Sequence, residues 1–417
     1  MKENMVKMKE IKKSFIFYFI IILILILIQL CSCSKVEEIE YDDGFHSLNP
    51  GNKLAIVRNP EADDYKKHFE KISQLPDLES LDELNYNCSC FDLSELDLTD
   101  KYESISKIDF DDFTIWPSEK KLPENFDIEK IKELGKDPGI NIRKVHEMGI
   151  TGKNIGIAII DQTLLVDHKE YKDNLVHYEE IHMPKDLTAQ MHGPMVSSIA
   201  VGKNVGVAPD ANLYYFATGH IEIVDEGFKQ DLSWFADAID RIIEINKLLD
   251  KDKKIRVVSF SQGINSGLKN YKLAFSAIKR ANEENIEVIY ISDYNNHPCK
   301  GFFRDPFLDP NDTNSFVIDN RKDTYGYDIY VPNGWRTVAS QFDVDKYQYK
   351  YSCGASGIPP YVAGLYALCL EVNPELSLRT FYELLDKTSK KTISNNDKTY
   401  KVANPVELIK YLQDNIS

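Results

Sequence analysis

The chain has 417 residues, 43% of them hydrophobic, and a formal net charge of −16. That length leaves room for a large domain plus roughly 100 further residues. The acidic balance argues against a nucleic-acid partner, because phosphate binding needs a basic footprint.

At the amino terminus, Lys12 and Lys13 precede a charge-free run from Ser14 to Ser34 that is rich in Ile, Leu and Phe. Basic residues followed by such a run predict a secretory signal. Its end, Leu30-Cys31-Ser32-Cys33, resembles the bacterial lipobox. The resemblance implies a diacylglyceryl group on Cys33, which becomes the mature first residue, and a signal peptide over residues 1–33. The run is also just long enough to span a bilayer, so an uncleaved anchor is the alternative. Both readings put the remainder outside the cytoplasm, tethered to the cell membrane. Five cysteines then remain, Cys88, Cys90, Cys299, Cys353 and Cys369. An odd number leaves at least one thiol unpaired within the molecule. Cys88-Ser89-Cys90 is too lone a pair for a metal site, and Cys369 is expected to be a buried small hydrophobe.

Residues 34–134 are acidic and punctuated by Asp, Glu, Ser and Pro. Within them, Lys53–Pro60 predicts a short strand and Asp63–Leu75 an amphipathic helix. Phe110, Phe113 and Trp116 are expected to dock on a neighbouring domain. From Asn141 the texture changes. Asn141–Met148 predicts one or two helical turns, and Ile155–Ile160 is a continuous apolar run, suited to a strand buried on both faces of a parallel sheet. Further such strands at Asn212–Phe216, Ile255–Phe260 and Ile286–Ile291 alternate with helical stretches, which implies a mostly parallel α/β sheet over residues 135–417. Functional groups then gather at the strands' carboxyl ends.

Three polar residues stand at the edges of such apolar elements. Asp161 closes the strand Ile155–Ile160. His192 opens a helix in which Met195, Val196, Ile199 and Ala200 share a face, with Pro194 in its first turn. Ser356 lies among small residues ahead of Pro359, Pro360 and the helix Tyr361–Leu370, whose amino terminus offers donors to developing negative charge. Acid, base and nucleophile are what acyl transfer by a serine hydroxyl requires. Their order, Asp then His then Ser, differs from those of the α/β-hydrolases and the chymotrypsin-like proteases. An esterase of the former kind needs a histidine after the serine, and the last histidine is His297.

The order and local motifs resemble the subtilase family, whose Asp…His…Ser order is a worked example in general accounts of the triad. The resemblance is carried by His192-Gly193, by Gly206-Val207-Ala208-Pro209-Asp210-Ala211 leading into a strand, and by Gly354-Ala355-Ser356 with Pro360-x-Val362-Ala363-Gly364. It covers about Lys136 to Leu412. It implies a subtilisin-like three-layer sandwich with a mostly parallel central sheet, preceded by a small N-terminal region at 34–134. Strand-then-helix in that region resembles an inhibitory, chaperone-like prosegment; a spacer that raises the domain off the membrane is the alternative.

The implied activity is serine endopeptidase, with Ser356 as nucleophile, His192 as proton relay and Asp161 as its orienter. Asn295, or Asn296 if the loop is shifted by one, is the implied oxyanion donor beside the Ser356 N–H. Ser261, Gln262 and Gly263 would line a cleft that takes protein or peptide substrate as an extended strand. Asp293 and Tyr294 occupy positions that the family keeps small, beside the pocket for the residue preceding the scissile bond, which implies restricted specificity. Gln162-Thr163 and Pro194-Met195 also depart from the family pattern. These departures motivate the alternative of a non-cleaving relative acting as a binding or regulatory lipoprotein. No cofactor is required. Glu170 matches a place where some relatives bind calcium, but as a single carboxylate it is expected to be a surface charge, and no residue is assigned to a metal.

Overall fold

The computed structural model describes residues 36–75, 86–219, 221–224, 227–292, 299–317, 329–393 and 399–415. The apolar run before Cys33, Cys33 itself, and Asp293, Tyr294, Asn295 and Asn296 lie outside these residues. Among the described residues no helix is long and apolar enough to cross a membrane.

The elements that position the site, in chain order, begin with strands β1 (Glu37–Glu40), β2 (Phe45–Asn49) and β3 (Ile108–Asp111). They continue with β4 (Gly156–Asp161), β5 (Leu175–Pro184), helix α1 (His192–Val201), β6 (Asn212–Thr218) and α2 (Ser233–Leu248). Next come β7 (Ile255–Ile264), α3 (Tyr271–Glu283) and β8 (Glu287–Ser292). The last are β9 (Gly334–Ala339), β10 (Tyr347–Ser352) and α4 (Ile358–Val372).

The large sheet has seven strands in the order β1-β2-β5-β6-β4-β7-β8. From β5 to β8 every pairing is parallel, while β1 and β2 join antiparallel at one edge. The apolar run of β4 is explained by cover on both faces. Ile157 and Ile159 belong to a core cluster shared with α1 and α4, whereas Ala158 and Ile160 belong to a second cluster shared with α2 and α3. Alternate side chains of one strand thus feed two cores. Chain order reverses around β4, with β6 on one side and β7 on the other. In open α/β sheets such a switch point leaves a crevice beyond the strands' carboxyl ends.

The described residues between 36 and 134 are packed against the rest of the chain. Beyond the β1–β2 hairpin, β3 pairs antiparallel with β10 and parallel with Tyr86–Asn87 in a four-stranded sheet completed by β9. Phe110 stacks on Tyr349 with ring centroids 4.8 Å apart, and Phe113 meets Phe342 edge-on at 6.0 Å. Trp116 packs edge-on against Phe110 at 5.2 Å.

Two local expectations in this region are corrected. Lys53–Pro60 forms only an isolated bridge, Ile56 to Tyr178. Beyond it the edge of β5 is already occupied by β2, through Phe45, His46 and Leu48. Asp63–Leu75 is not a helix; it contains a single 3-10 turn, Tyr65–Lys67, followed by Glu70–Lys71 pairing with Phe91–Asp92. A short amphipathic helix persists only where its apolar face is buried, and Phe69 is exposed here.

Candidate functional site

Asp161 is the last residue of β4, and its side chain leaves the sheet at the carboxyl edge. Its Oδ1 accepts the Gln162 N–H at 2.8 Å and lies 2.7 Å from His192 Nδ1. The carboxylate is buried, while the His192 side chain is 23% exposed. With Nδ1 held by a carboxylate, the tautomer is fixed and Nε2 is left to face a reacting group. Burial works against the imidazolium; the charge and hydrogen bond of Asp161 outweigh it, and the His192 pKa is raised.

Close packing explains the glycine beside the histidine. A Cβ at position 193 would lie 2.5 Å from the Tyr215 hydroxyl and 2.9 Å from the Thr163 carbonyl oxygen. Only a glycine lets the first turn of α1 settle against the loop that follows Asp161. The same logic holds at Gly364 of α4, where a Cβ would lie 2.7 Å from Val207 Cβ and 3.1 Å from the Ala200 carbonyl. The two helices that begin next to the site therefore touch through backbone.

Ser356 lies in a 3-10 turn, Ala355–Gly357, from which α4 continues with Pro359 and Pro360 in its first turn. Proline costs nothing there, since the first N–H groups of a helix have no internal partner. The turn packs against α1 and β7. Ser261, near the end of β7, donates from Oγ to the Ser356 carbonyl at 2.8 Å, and Ser356 Oγ points back to the Ser261 carbonyl at 3.4 Å. The fold thus brings Asp161, His192, Ser356 and Ser261 to one edge of the sheet. Gln262 follows in β7 as a buried side chain whose amide has no hydrogen-bond partner among the described residues, and Gly263 sits where the β7–β8 register shifts.

Other groups near the serine carry no sequence signal for their role. Asn333 donates from Nδ2 to the Gly354 carbonyl at 2.7 Å and accepts the Cys353 N–H on its own carbonyl at 3.0 Å. Lys350 is paired with Asp109 at 2.5 Å, and its charge reaches His192, where it opposes Asp161.

Glu170 is corrected from a surface charge to a fully buried carboxylate. It accepts the Asn204 N–H at 2.8 Å, Asn204 Nδ2 at 2.9 Å and the Tyr347 hydroxyl at 2.5 Å. Three donors make burial of the charge tolerable and leave little room for a cation. No group of three or more His, Cys, Asp or Glu among the described residues could hold a metal ion. Cys88, Cys90, Cys299, Cys353 and Cys369 are all buried.

Residues 152–314 match the family model described as Peptidase_S8: Subtilase family, a stretch that holds Asp161, His192 and Ser261 and ends before Ser356. No curated protein matches the chain. Similar solved structures include the prenylagaramide maturation protease PagA, at 16% identity and TM-score 0.44, covering 65% of this chain and 98% of that one. Another is reported in work on the assembly of subtilase cytotoxin SubAB, at 14% identity and TM-score 0.49, covering 66% of this chain and 95% of that one. Over residues 152–314, this chain is similar to the subtilase family.

Proposed function

We propose that the protein is a serine endopeptidase held outside the cytoplasm by a lipid on Cys33, on a subtilisin-like scaffold with helices on both faces of its sheet. The observation that carries the reading is the 2.7 Å bond between His192 Nδ1 and Asp161 Oδ1 at the carboxyl edge, beside the turn that bears Ser356. In this mechanism, His192 Nε2 takes the Ser356 hydroxyl proton as Oγ attacks the substrate carbonyl. The imidazolium, stabilised by Asp161, then returns that proton to the departing amine. A water repeats the cycle on the acyl-enzyme. The Ser356 N–H and the Asn295 side chain are the proposed donors to the oxyanion, a type of contact that typically contributes some 10²–10³ in turnover.

Substrate would lie as an extended strand along Ser261, Gln262 and Gly263, with Asp293 and Tyr294 restricting the adjoining pocket. The family match over residues 152–314 supports a peptide-hydrolysing serine enzyme; the tether and the narrow specificity rest on the sequence motifs alone. A fluorophosphonate probe tests the reading. Labelling of the wild type and loss of label in Ser356→Ala is the expected result, and a folded wild type that stays unlabelled would overturn it.

A further inference from the structure

Ser356 lies four residues beyond the end of β10, so whatever fixes that strand end fixes the approach of the hydroxyl. On one side β10 pairs with β9, where Gly334 faces Ser352 and Arg336 faces Lys350. On the other it pairs with β3 from the N-terminal region, where Phe110 faces Tyr349 and Asp111 faces Gln348. The next residue of β3 is Asp109, whose side chain continues the pairing beyond the backbone ladder. Its Oδ1 accepts the Tyr351 N–H at 2.7 Å and its Oδ2 lies 2.5 Å from Lys350 Nζ. Asp109 is 2% exposed and the Lys350 side chain 10%. Asp112 adds a second clamp, accepting the Tyr347 N–H at 2.9 Å and the Tyr349 hydroxyl at 2.6 Å.

This arrangement is costly unless it serves something. Burying an ion pair seldom gains stability over an apolar pair of the same shape. Among the described residues, the charged groups that act on His192 are Asp161, which favours the imidazolium, and Lys350, which disfavours it. An ammonium without a partner there would work against the charge that His192 acquires during proton transfer. Asp109 supplies the partner. Cys353 also faces this pair and Arg336; burial pushes its thiol up to about 11, so it stays uncharged at neutral pH.

We propose that Asp109 is a positioning residue for the chemistry of Ser356 and His192, pinning the strand that delivers the serine and neutralising Lys350 on that strand. The inference rests on the peptidase reading for its consequence in catalysis. It makes the N-terminal region a lasting part of the catalytic unit, since removal of residues 34–134 would take Asp109 with it.

The test uses the full-length chain purified in a mild detergent and labelled with ¹³C-histidine. The His192 signal is assigned by its loss in His192→Gln and titrated in the wild type, Asp109→Asn, Lys350→Met and the double variant. Lys350→Met removes the opposing charge and is expected to move the His192 midpoint up by about half a unit; Asp109→Asn moves it down by a similar amount. The double variant, neutral at both positions, returns close to the wild type. Fluorophosphonate labelling of Asp109→Asn at saturating pH is expected to slow about tenfold, the scale of one lost charge-assisted bond. Shifts that are absent, or of the same sign in the two single variants, overturn the proposal. Should Asp109→Asn fail to fold, Lys350→Met and the double variant decide it, and a Lys350→Met midpoint equal to wild type overturns it. A wild type that does not label defeats the peptidase reading, while the titration still decides the role of Asp109.

Discussion

Ser261 and Ser356 are tied to each other through their backbones. The Ser261 hydroxyl donates to the Ser356 carbonyl at 2.8 Å, and the Ser356 hydroxyl faces the Ser261 carbonyl at 3.4 Å. One residue lies near the end of a strand of the central sheet, the other sits in the turn before α4, and 95 positions separate them. Ser261 therefore couples the proposed substrate strand to the proposed nucleophile. Ser261→Ala is expected to lower kcat/KM about fivefold, equivalent to about 1 kcal/mol for one hydrogen bond. The loss falls mainly on kcat if Ser261 positions Ser356, and mainly on KM if it only contacts substrate. Steady-state kinetics on a peptide substrate separates the two.

The Asp161–His192 bond governs pH dependence. Burial opposes the imidazolium, but Asp161 outweighs it and the histidine pKa is raised above its ordinary value of about 6.5. Neutral imidazole is the base, so probe labelling at Ser356 should climb with pH through a midpoint above that value. Asp161→Asn should lower the midpoint and slow labelling by about 10⁴. Stability runs the other way. A raised folded-state pKa contributes stability that is complete below the unfolded pKa and lost as pH rises through the folded one. Denaturation at a series of pH values should show this decline across the neutral range in the wild type and a flatter profile in His192→Gln.

Gly193 tests the packing that seats the histidine. A methyl group there would press on the Tyr215 hydroxyl and two carbonyl oxygens of the loop after Asp161. Two of those three are backbone and cannot swing away. Gly193→Ala is expected to destabilise by about 1–3 kcal/mol, read from the denaturant midpoint. It should also weaken probe labelling by more than the loss of folded protein explains, because the clash displaces the first turn of α1.

Arg58 tests the attachment of the N-terminal region to the large sheet. Glu180 in β5 is fully buried and accepts Arg58 Nε at 2.9 Å, Arg58 Nη2 at 2.6 Å and the Tyr178 hydroxyl at 2.6 Å. His46 in β2 approaches the same carboxylate at 3.2 Å. Arg58→Met removes the main counter-charge and is expected to cost about 2–3 kcal/mol, reduced from the fully buried case because the arginine is partly exposed. Limited proteolysis should then cut first between residues 36 and 60. Cleavage elsewhere first would mean that the hairpin is held by its backbone pairing alone.

Periodicity and local motif were enough to read β4, β6, β7 and β8 and the helix starts at His192 and before Tyr361; they also single out Asp161, His192 and Ser356, which the fold brings to one edge of the sheet. Each of these depends on near neighbours: an unbroken apolar run, a proline in a first turn, a serine among small residues. The sequence also contains the only grounds for Cys33, Asp293, Tyr294 and Asn295, which lie outside the described residues. Tertiary structure alone decided the rest. Asp109 and Lys350 are 241 positions apart, and Glu170 and Tyr347 are 177 apart, so nothing local marks them as partners. A lone acidic residue reads as a surface charge until the fold supplies its donors. Lys53–Pro60 and Asp63–Leu75 miscarried for a related reason: their pattern fitted a strand and a helix, but the edge of β5 was taken by β2 and the backbone at Glu70 paired with Phe91. Local pattern sets what a segment can form. Competition for hydrogen-bond partners and buried surface decides what it does form.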